Sequence, residues 1–322
     1  MSNILEINLD NAAYGGDTIG RLPDGRAVFV PLGIPGETVR IQIVLDKKKF
    51  ARGELIEVLD PSPSRISARC AHFLDCGGCH YQHIAYDQQL LIKEKVLRDQ
   101  LERIGRLVSP PIEPVVPSPN KFGYRNQVKF HISQSGKPGF YRANKNGILE
   151  ISECHLPEIP LADIWHLLEI DPESGLSALG LRLGIQDDIL VTLESKGHFA
   201  AEFDIEDLPV SVVHVSPGHT EVLAGSEYTI MQVKDRQFRV SGGSFFQVNT
   251  PLAGYMVDEI ESALPVDPGL VLELYSGVGL FSAFLACRAE KLISIEASER
   301  AAEDFVHNLD DFNNVDLYQG PV

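Results

Sequence analysis

Three of the five cysteines crowd into one short loop, Cys70-x5-Cys76-Gly77-Gly78-Cys79, and a fourth, Cys154, stands far along the chain. A soft metal centre asks for four thiolates, and a loop with this spacing supplies three of them. The fourth must then come from elsewhere in the fold. The set therefore acts as a staple between distant segments, whichever metal it takes, since structural zinc accepts four thiolates as well. An odd, unevenly clustered set of cysteines also argues against a secreted disulfide framework. The first residues, Met1-Ser2-Asn3-Ile4, show no basic stretch followed by an apolar one, so no secretory leader is read there. Nor is there a run of roughly 18 apolar residues. The expectation is a cytoplasmic protein with no membrane partner.

At 322 residues the length suits two or three domains. Residues 1–60 read as five short strands with turns at Gly15-Gly16 and Pro23-Asp24-Gly25, the pattern of a small OB-like barrel. Pro61-Ser62-Pro63-Ser64 ends it. Residues 65–240 read as a central α+β domain. It opens with the cysteine loop and a helix whose apolar positions are Ile84, Leu91, Val96, Leu97, Leu101 and Ile104, stopping at Gly105. A five-proline connector, 109–120, follows. Strands are expected at Tyr124–Ile132, Phe140–Arg142, Ile148–Ile151, Leu181–Leu193 (a hairpin), His198–Phe203, Ser211–Val215 and Tyr228–Val233, with a short helix over Leu161–Ile170. Residues 241–322 read as the start of a Rossmann-like domain, making the whole a multi-domain α/β protein. There, a helix from Pro251 to Leu264 with Thr250 as N-cap precedes Leu270-Val271-Leu272-Glu273-Leu274-Tyr275. This is a continuous apolar strand of the buried parallel type.

That strand runs into Ser276-Gly277-Val278-Gly279 and a helix, and a second strand, Lys291–Ile295, ends on Glu296. Gly277 and Gly279 allow a tight turn and a close approach of backbone to ligand, and an acid at the tip of the second strand can accept both hydroxyls of a ribose. A dinucleotide fingerprint would carry glycine three positions after Gly279, where Ser282 stands. S-adenosylmethionine has no pyrophosphate and needs no such glycine, so it is favoured over NAD. Two strands and two helices leave an apolar face of the sheet exposed.

The stretch Ala13-Tyr14-Gly15-Gly16-Asp17…Gly20-Arg21…Gly25–Pro31 resembles a TRAM domain, a small RNA-binding barrel. Three further stretches resemble the RNA (uracil-carbon-5) methyltransferase family: Cys70-x5-Cys76-Gly-Gly-Cys79-x2-Gln82-His83-x2-Tyr86-x2-Gln89, then Gly123-Tyr124-Arg125-Asn126, then Ser244-Phe-Phe-Gln-Val-Asn249 ahead of the glycine loop. The order of these motifs covers the whole chain. The resemblance implies that Cys70, Cys76, Cys79 and Cys154 hold a [4Fe-4S] cluster. It implies that Gln247, Tyr275 and Glu296, with the Gly277–Gly279 loop, bind S-adenosylmethionine. Tyr124, Arg125 and Asn126 are RNA or scaffold contacts. The substrate it implies is uridine carbon 5 in RNA, ribosomal ahead of transfer RNA; the protein is expected to be a monomer.

The net charge of −17 alone argues against a nucleic-acid partner. Lys47-Lys48-Lys49 with Arg40 and Arg52 is the local exception, either an RNA contact or a solvated hairpin tip. The family's nucleophilic cysteine follows a Ser-Cys-Asn-Pro-type motif, with an Asp-Pro-Pro-Arg motif before it and a proton-abstracting glutamate after it. None of these lies between Met1 and Val322. Cys287, in the helix after the glycine loop, is expected to be a buried packing residue. Two readings follow: a methyltransferase whose catalytic part lies beyond Val322 and which is inactive as it stands, or a non-catalytic RNA-binding or assembly module.

Overall fold

A computed structural model describes residues 4–143, 146–197 and 209–322. These fall into two compact units. One runs to Pro117 and includes Arg142 and Ala143; the other comprises Ser118–Tyr141 and the described residues from Asn146 to Val322. The expected strand at His198–Phe203 lies outside the described residues.

In the first unit, β1 (Ile4–Ala12), β2 (Thr18–Arg21), β3 (Ala27–Val30), β4 (Thr38–Asp46) and β5 (Phe50–Asp60) close into a barrel in the order β1-β2-β3-β5-β4. Alternation makes the core: Ile7, Leu9, Val28, Val30, Val39 and Ile41 point inward and are buried. Closure comes from the parallel pairing of β3 with β5, which removes the free edges. Glu37, with no exposed surface, fastens the exit from the barrel. Its carboxylate accepts from Ile34 N at 2.9 Å and Ser62 N at 3.1 Å, and from Arg65 Nε and Nη2 at 2.6 Å each. The helix α1 (Tyr86–Asp99) passes into a wider turn, Gln100–Ile104, capped by Gly105. Of its expected apolar stripe, Leu91, Leu97 and Ile104 are 51%, 48% and 63% exposed, and within α1 only Ile92 is buried. Spacing marked a face here that the fold leaves partly in solvent, with Ile84 buried and Val96 packed beside Ile92.

The second unit is built on a seven-stranded mixed sheet. It uses β6 (Gln127–Ile132), β7 (Pro138–Tyr141), β8 (Ile148–Glu150), β9 (Leu176–Leu183), β10 (Ile189–Ser195), β11 (Val210–Ser216) and β12 (His219–Ala224), in the order β12-β11-β10-β9-β6-β7-β8. The short helix α2 (Ile159–Ile164) covers it through Leu161, Ile164 and the following Trp165. A hairpin, β13 (Tyr228–Val233) and β14 (Arg236–Ser241), leads to α3 (Thr250–Ala263). Then β15 (Leu270–Leu274), α4 (Leu280–Leu285), β16 (Lys291–Glu296), α5 (Glu299–Asn308) and β17 (Val315–Gln319) form a parallel three-stranded sheet with its helices.

Sequence reasoning missed β12, β14 and β17. It also expected β15 to be buried, whereas β15 is an edge strand with Leu270, Leu272 and Leu274 at 66%, 59% and 44% exposure. The exposed apolar face expected of this small sheet is therefore present. The cap of α3 is Asn249, not Thr250: its side chain accepts from Leu252 N at 3.2 Å. The Thr250 hydroxyl is instead engaged by Asn126.

Candidate functional site

The turn from β15 into α4 is tight and strained. Tyr275, Gly277 and Gly279 all have positive φ, of 61°, 59° and 87°. For tyrosine this costs on the order of 1 kcal/mol, and such positions cluster at functional sites. It turns the Tyr275 ring outward, 74% exposed. Glu296 ties the loop down, accepting from Gly277 N at 2.8 Å through one oxygen and from Ser298 N at 2.7 Å through the other. The two glycines differ. A Cβ on Gly277 would meet nothing within 4 Å, whereas one on Gly279 would lie 2.4 Å from Leu309 Cδ1 and 3.0 Å from Phe305 Cδ2. Only Gly277 thus fits the expected role of admitting a ligand. Gly279 is required by the packing of α5.

Gln247 sits on a segment whose backbone is fixed on every side. Asn126, 2% exposed, donates from Nδ2 to Gln247 O at 2.9 Å and to Thr250 Oγ1 at 2.8 Å, and from its backbone N to Val248 O at 2.9 Å. Asp304, fully buried on α5, accepts from Ser241 N, Ser241 Oγ and Ser244 Oγ at 2.8, 2.6 and 2.8 Å. Arg182 donates to the carbonyls of Ser241 and Ser244, and burial pulls its pKa down to about 10. Phe246 and Val278, neighbours of Gln247 and Gly277, belong to one core cluster. The Gln247 amide itself has no hydrogen-bond partner among the described residues. Asn126, Asp304 and Arg182 were not found as site residues from sequence. Asn126 lay in a recognised motif, but its partners are more than 100 residues away.

Glu273, on β15, faces Ser282 and Ser294. Burial pushes its carboxyl up to about 7, against the hydrogen bonds of the two serines. Ser282 has no exposed surface, so the place of a third glycine is filled by a side chain that packs and bonds inward. Cys287 is exposed, not buried as expected, and its thiol donates to Ala283 O at 3.4 Å.

The loop cysteines sit in the first unit and Cys154 in the second, partly buried against the sheet core after β8. Cys76 is buried; burial pushes its thiol up, as do Cys79 and Cys70, while the Gly78 N–H counters them. Gly78 N lies 3.4 Å from Cys76 Sγ, and Gln82 Nε2 lies 3.3 Å from Cys79 Sγ. Donors aimed at sulfur favour thiolate ligands. Among the described residues, no three His, Cys, Asp or Glu side chains gather as one metal ion demands.

On the barrel, the expected basic patch is smaller than its sequence. Arg40 pairs with Glu6 and Glu57, Arg52 with Asp17, and Arg26 with Asp24 and Asp46. Lys47, Lys48 and Lys49 at the β4–β5 turn are exposed and form no ion pair among the described residues. No described helix is long and apolar enough to cross a membrane.

The TRAM domain family model matches residues 4–56. A protein of Aquifex aeolicus described as an uncharacterized RNA methyltransferase is 31% identical over 94% of this chain and 74% of its own length. One of Streptomyces coelicolor with the same description is 30% identical over 98% and 73%. About a quarter of each relative's own length lies outside the match. A Pyrococcus abyssi tRNA (uracil-54, C5)-methyltransferase, solved with S-adenosyl-L-homocysteine, superposes with a TM-score of 0.73 at 22% identity, covering 98% of this chain and 79% of that one. This last likeness is one of fold.

Proposed function

We propose, from the premise that this chain belongs to the RNA methyltransferase family, that it methylates carbon 5 of uridine in RNA with S-adenosylmethionine. Ribosomal RNA is favoured over transfer RNA, and we place the protein in the cytoplasm as a monomer. The observation that carries the reading is the Tyr275–Gly277 turn tied to Glu296, beside a Gln247 whose backbone is fixed and whose amide is unused.

When bound, S-adenosylmethionine supplies an electrophilic methyl group. This chain's residues bind and orient it. Glu296 would take the ribose hydroxyls in place of its backbone partners, Tyr275 would pack near the adenosyl group, and Gly277 would leave space for both. Gln247 would bond the remaining polar groups. Carbon 5 of uracil is a poor nucleophile and is activated by a thiolate adding at carbon 6. Cys287 is not assigned that role, because its thiol is spent on the Ala283 carbonyl. Lys47, Lys48 and Lys49 are the RNA contacts of the barrel, where phosphates meet exposed ammonium groups. Cys70, Cys76, Cys79 and Cys154 hold a [4Fe-4S] cluster that clamps chain segments and takes no part in methyl transfer, which moves no net electrons.

The test incubates the protein with methyl-labelled cofactor and ribosomal or transfer RNA, followed by nucleoside analysis. The reading expects labelled 5-methyluridine; label on another position contradicts it. RNA binding without label selects the binding or assembly module instead. Anaerobic purification is expected to give a brown protein absorbing near about 400 nm, and a colourless zinc protein contradicts the cluster.

A further inference from the structure

The second unit contains a cavity of about 570 Å³ that none of Gln247, Tyr275, Gly277 or Glu296 lines. This volume falls in the range of small-molecule sites. Its wall carries Tyr124, Asn126, Glu158, Lys234, Tyr255 and Asp258. Lys234 is spent on Asp258 at 2.5 Å and Glu261 at 3.2 Å, so no lining residue presents a spare cation. Glu158 is half-buried at the N-cap of α2 but makes no side-chain cap bond, and its carboxylate has no hydrogen-bond or ion-pair partner among the described residues. Burial first, and the charge of Asp187 second, push that carboxyl up, the sense expected of an acid lacking donors.

An ionised carboxylate only accepts hydrogen bonds. The ligand must therefore bring N–H donors, preferably two side by side, and a flat face for the tyrosines. A free ammonium suits the site less well, because the Arg125 guanidinium already lies 6.0 Å from the centre of the Tyr124 ring. Guanine fits: its Watson–Crick edge offers N1–H and N2–H together, and unstacked RNA bases are held by aromatic stacking plus edge recognition. We propose that this cavity is a second base site that takes an unstacked guanine of the RNA, with Glu158 as the acceptor of its N1–H and N2–H groups and Tyr124 and Tyr255 as stacking surfaces. The proposal rests on the RNA reading. The floor of the site is Asn126, the residue that also holds the Gln247 carbonyl, so a base bound here touches the residue that fixes the cofactor-facing segment.

The test titrates free guanosine, inosine, uridine and spermidine into the protein by saturation-transfer NMR, with S-adenosylmethionine titrated in parallel. Guanosine is expected to bind in the millimolar range. Inosine, which lacks the 2-amino group, and the Glu158→Gln variant are each expected to weaken binding by about tenfold or more. Tyr124→Leu weakens guanosine as well. Cofactor affinity is unchanged in both variants, which shows that they are folded. Guanosine binding that ignores Glu158→Gln, no guanosine binding at all, or a response to spermidine alone overturns the proposal. Loss of cofactor binding by the wild type is a separate result and overturns the methyltransferase reading instead.

Discussion

Glu37 in the barrel and Glu296 at the end of β16 each accept two backbone N–H groups, yet only one of them is placed to let go. Glu37 has no exposed surface, and its remaining acceptor capacity is filled by the Arg65 fork. Glu296 is half-exposed, and beside it lie an open glycine and an outward tyrosine. Under the proposed function, the same carboxylate–backbone contact is a fixture in one unit and an exchangeable ligand site in the other. Burial and the presence of a paired cation decide which.

The largest expected effect breaks the fixture. Arg65→Met leaves Glu37 buried without its cation, which costs about 3–5 kcal/mol and is read as a lower midpoint in urea; cofactor affinity of the folded protein should not change. A smaller loss of stability, or a matching loss of cofactor binding, would mean that the two glutamates are not separable. Acid weakens the same region. His83, buried near Arg65, has its pKa lowered to about 4 by burial first and by Arg65 second. The unfolded chain therefore binds the extra proton at higher pH than the folded one. Stability is complete above the ordinary histidine value of 6.5 and is lost as pH falls toward 4, by at most roughly 3 kcal/mol. His83→Leu should flatten that slope in thermal melts recorded across the window, and an unchanged slope would assign it to other groups.

The two glycines sharpen the contrast inside the cofactor loop. Gly279→Ala drives a methyl group into Leu309 and Phe305 and is expected to cost about 1–3 kcal/mol. Gly277→Ala meets no protein atom, so its cost is the backbone term alone, about 1 kcal/mol, and its main effect should be on cofactor affinity. Reversed results would exchange the structural and binding roles of the pair. The smallest effect belongs to the barrel surface. Replacing Lys47, Lys48 and Lys49 with alanine should lower the salt dependence of RNA binding by about 2 to 3 in log–log slope, with no change in melting temperature. An unaltered slope would make the hairpin tip a solvated one.

Local pattern reached some of this and missed the rest for physical reasons. The barrel strands were legible because alternation with turn residues is a short-range signal, and the β15–Glu296 unit because a strand, a glycine turn and an acid-tipped strand follow each other in sequence. The apolar positions Leu91, Leu97 and Ile104 misled because spacing marks a face without saying what covers it. Gly279 looked like a ligand glycine because its clash partners, Phe305 and Leu309, come from α5 and are set only by the tertiary fold. Asn126 and Asp304 act on the Gln247 segment across long separations, and no window of sequence holds both ends of such a contact. β12 and β17 escaped because they are edge strands with half-exposed, mixed compositions.

The central claim is that Glu296 is an exchangeable acid that binds the cofactor ribose. Isothermal titration of S-adenosylmethionine into the wild type and Glu296→Gln tests it most directly. The account predicts saturable binding to the wild type, about 10- to 100-fold weaker binding to the variant, and melting temperatures within a few degrees of each other. Equal affinity in the two proteins, or binding of NAD in place of S-adenosylmethionine, would contradict it.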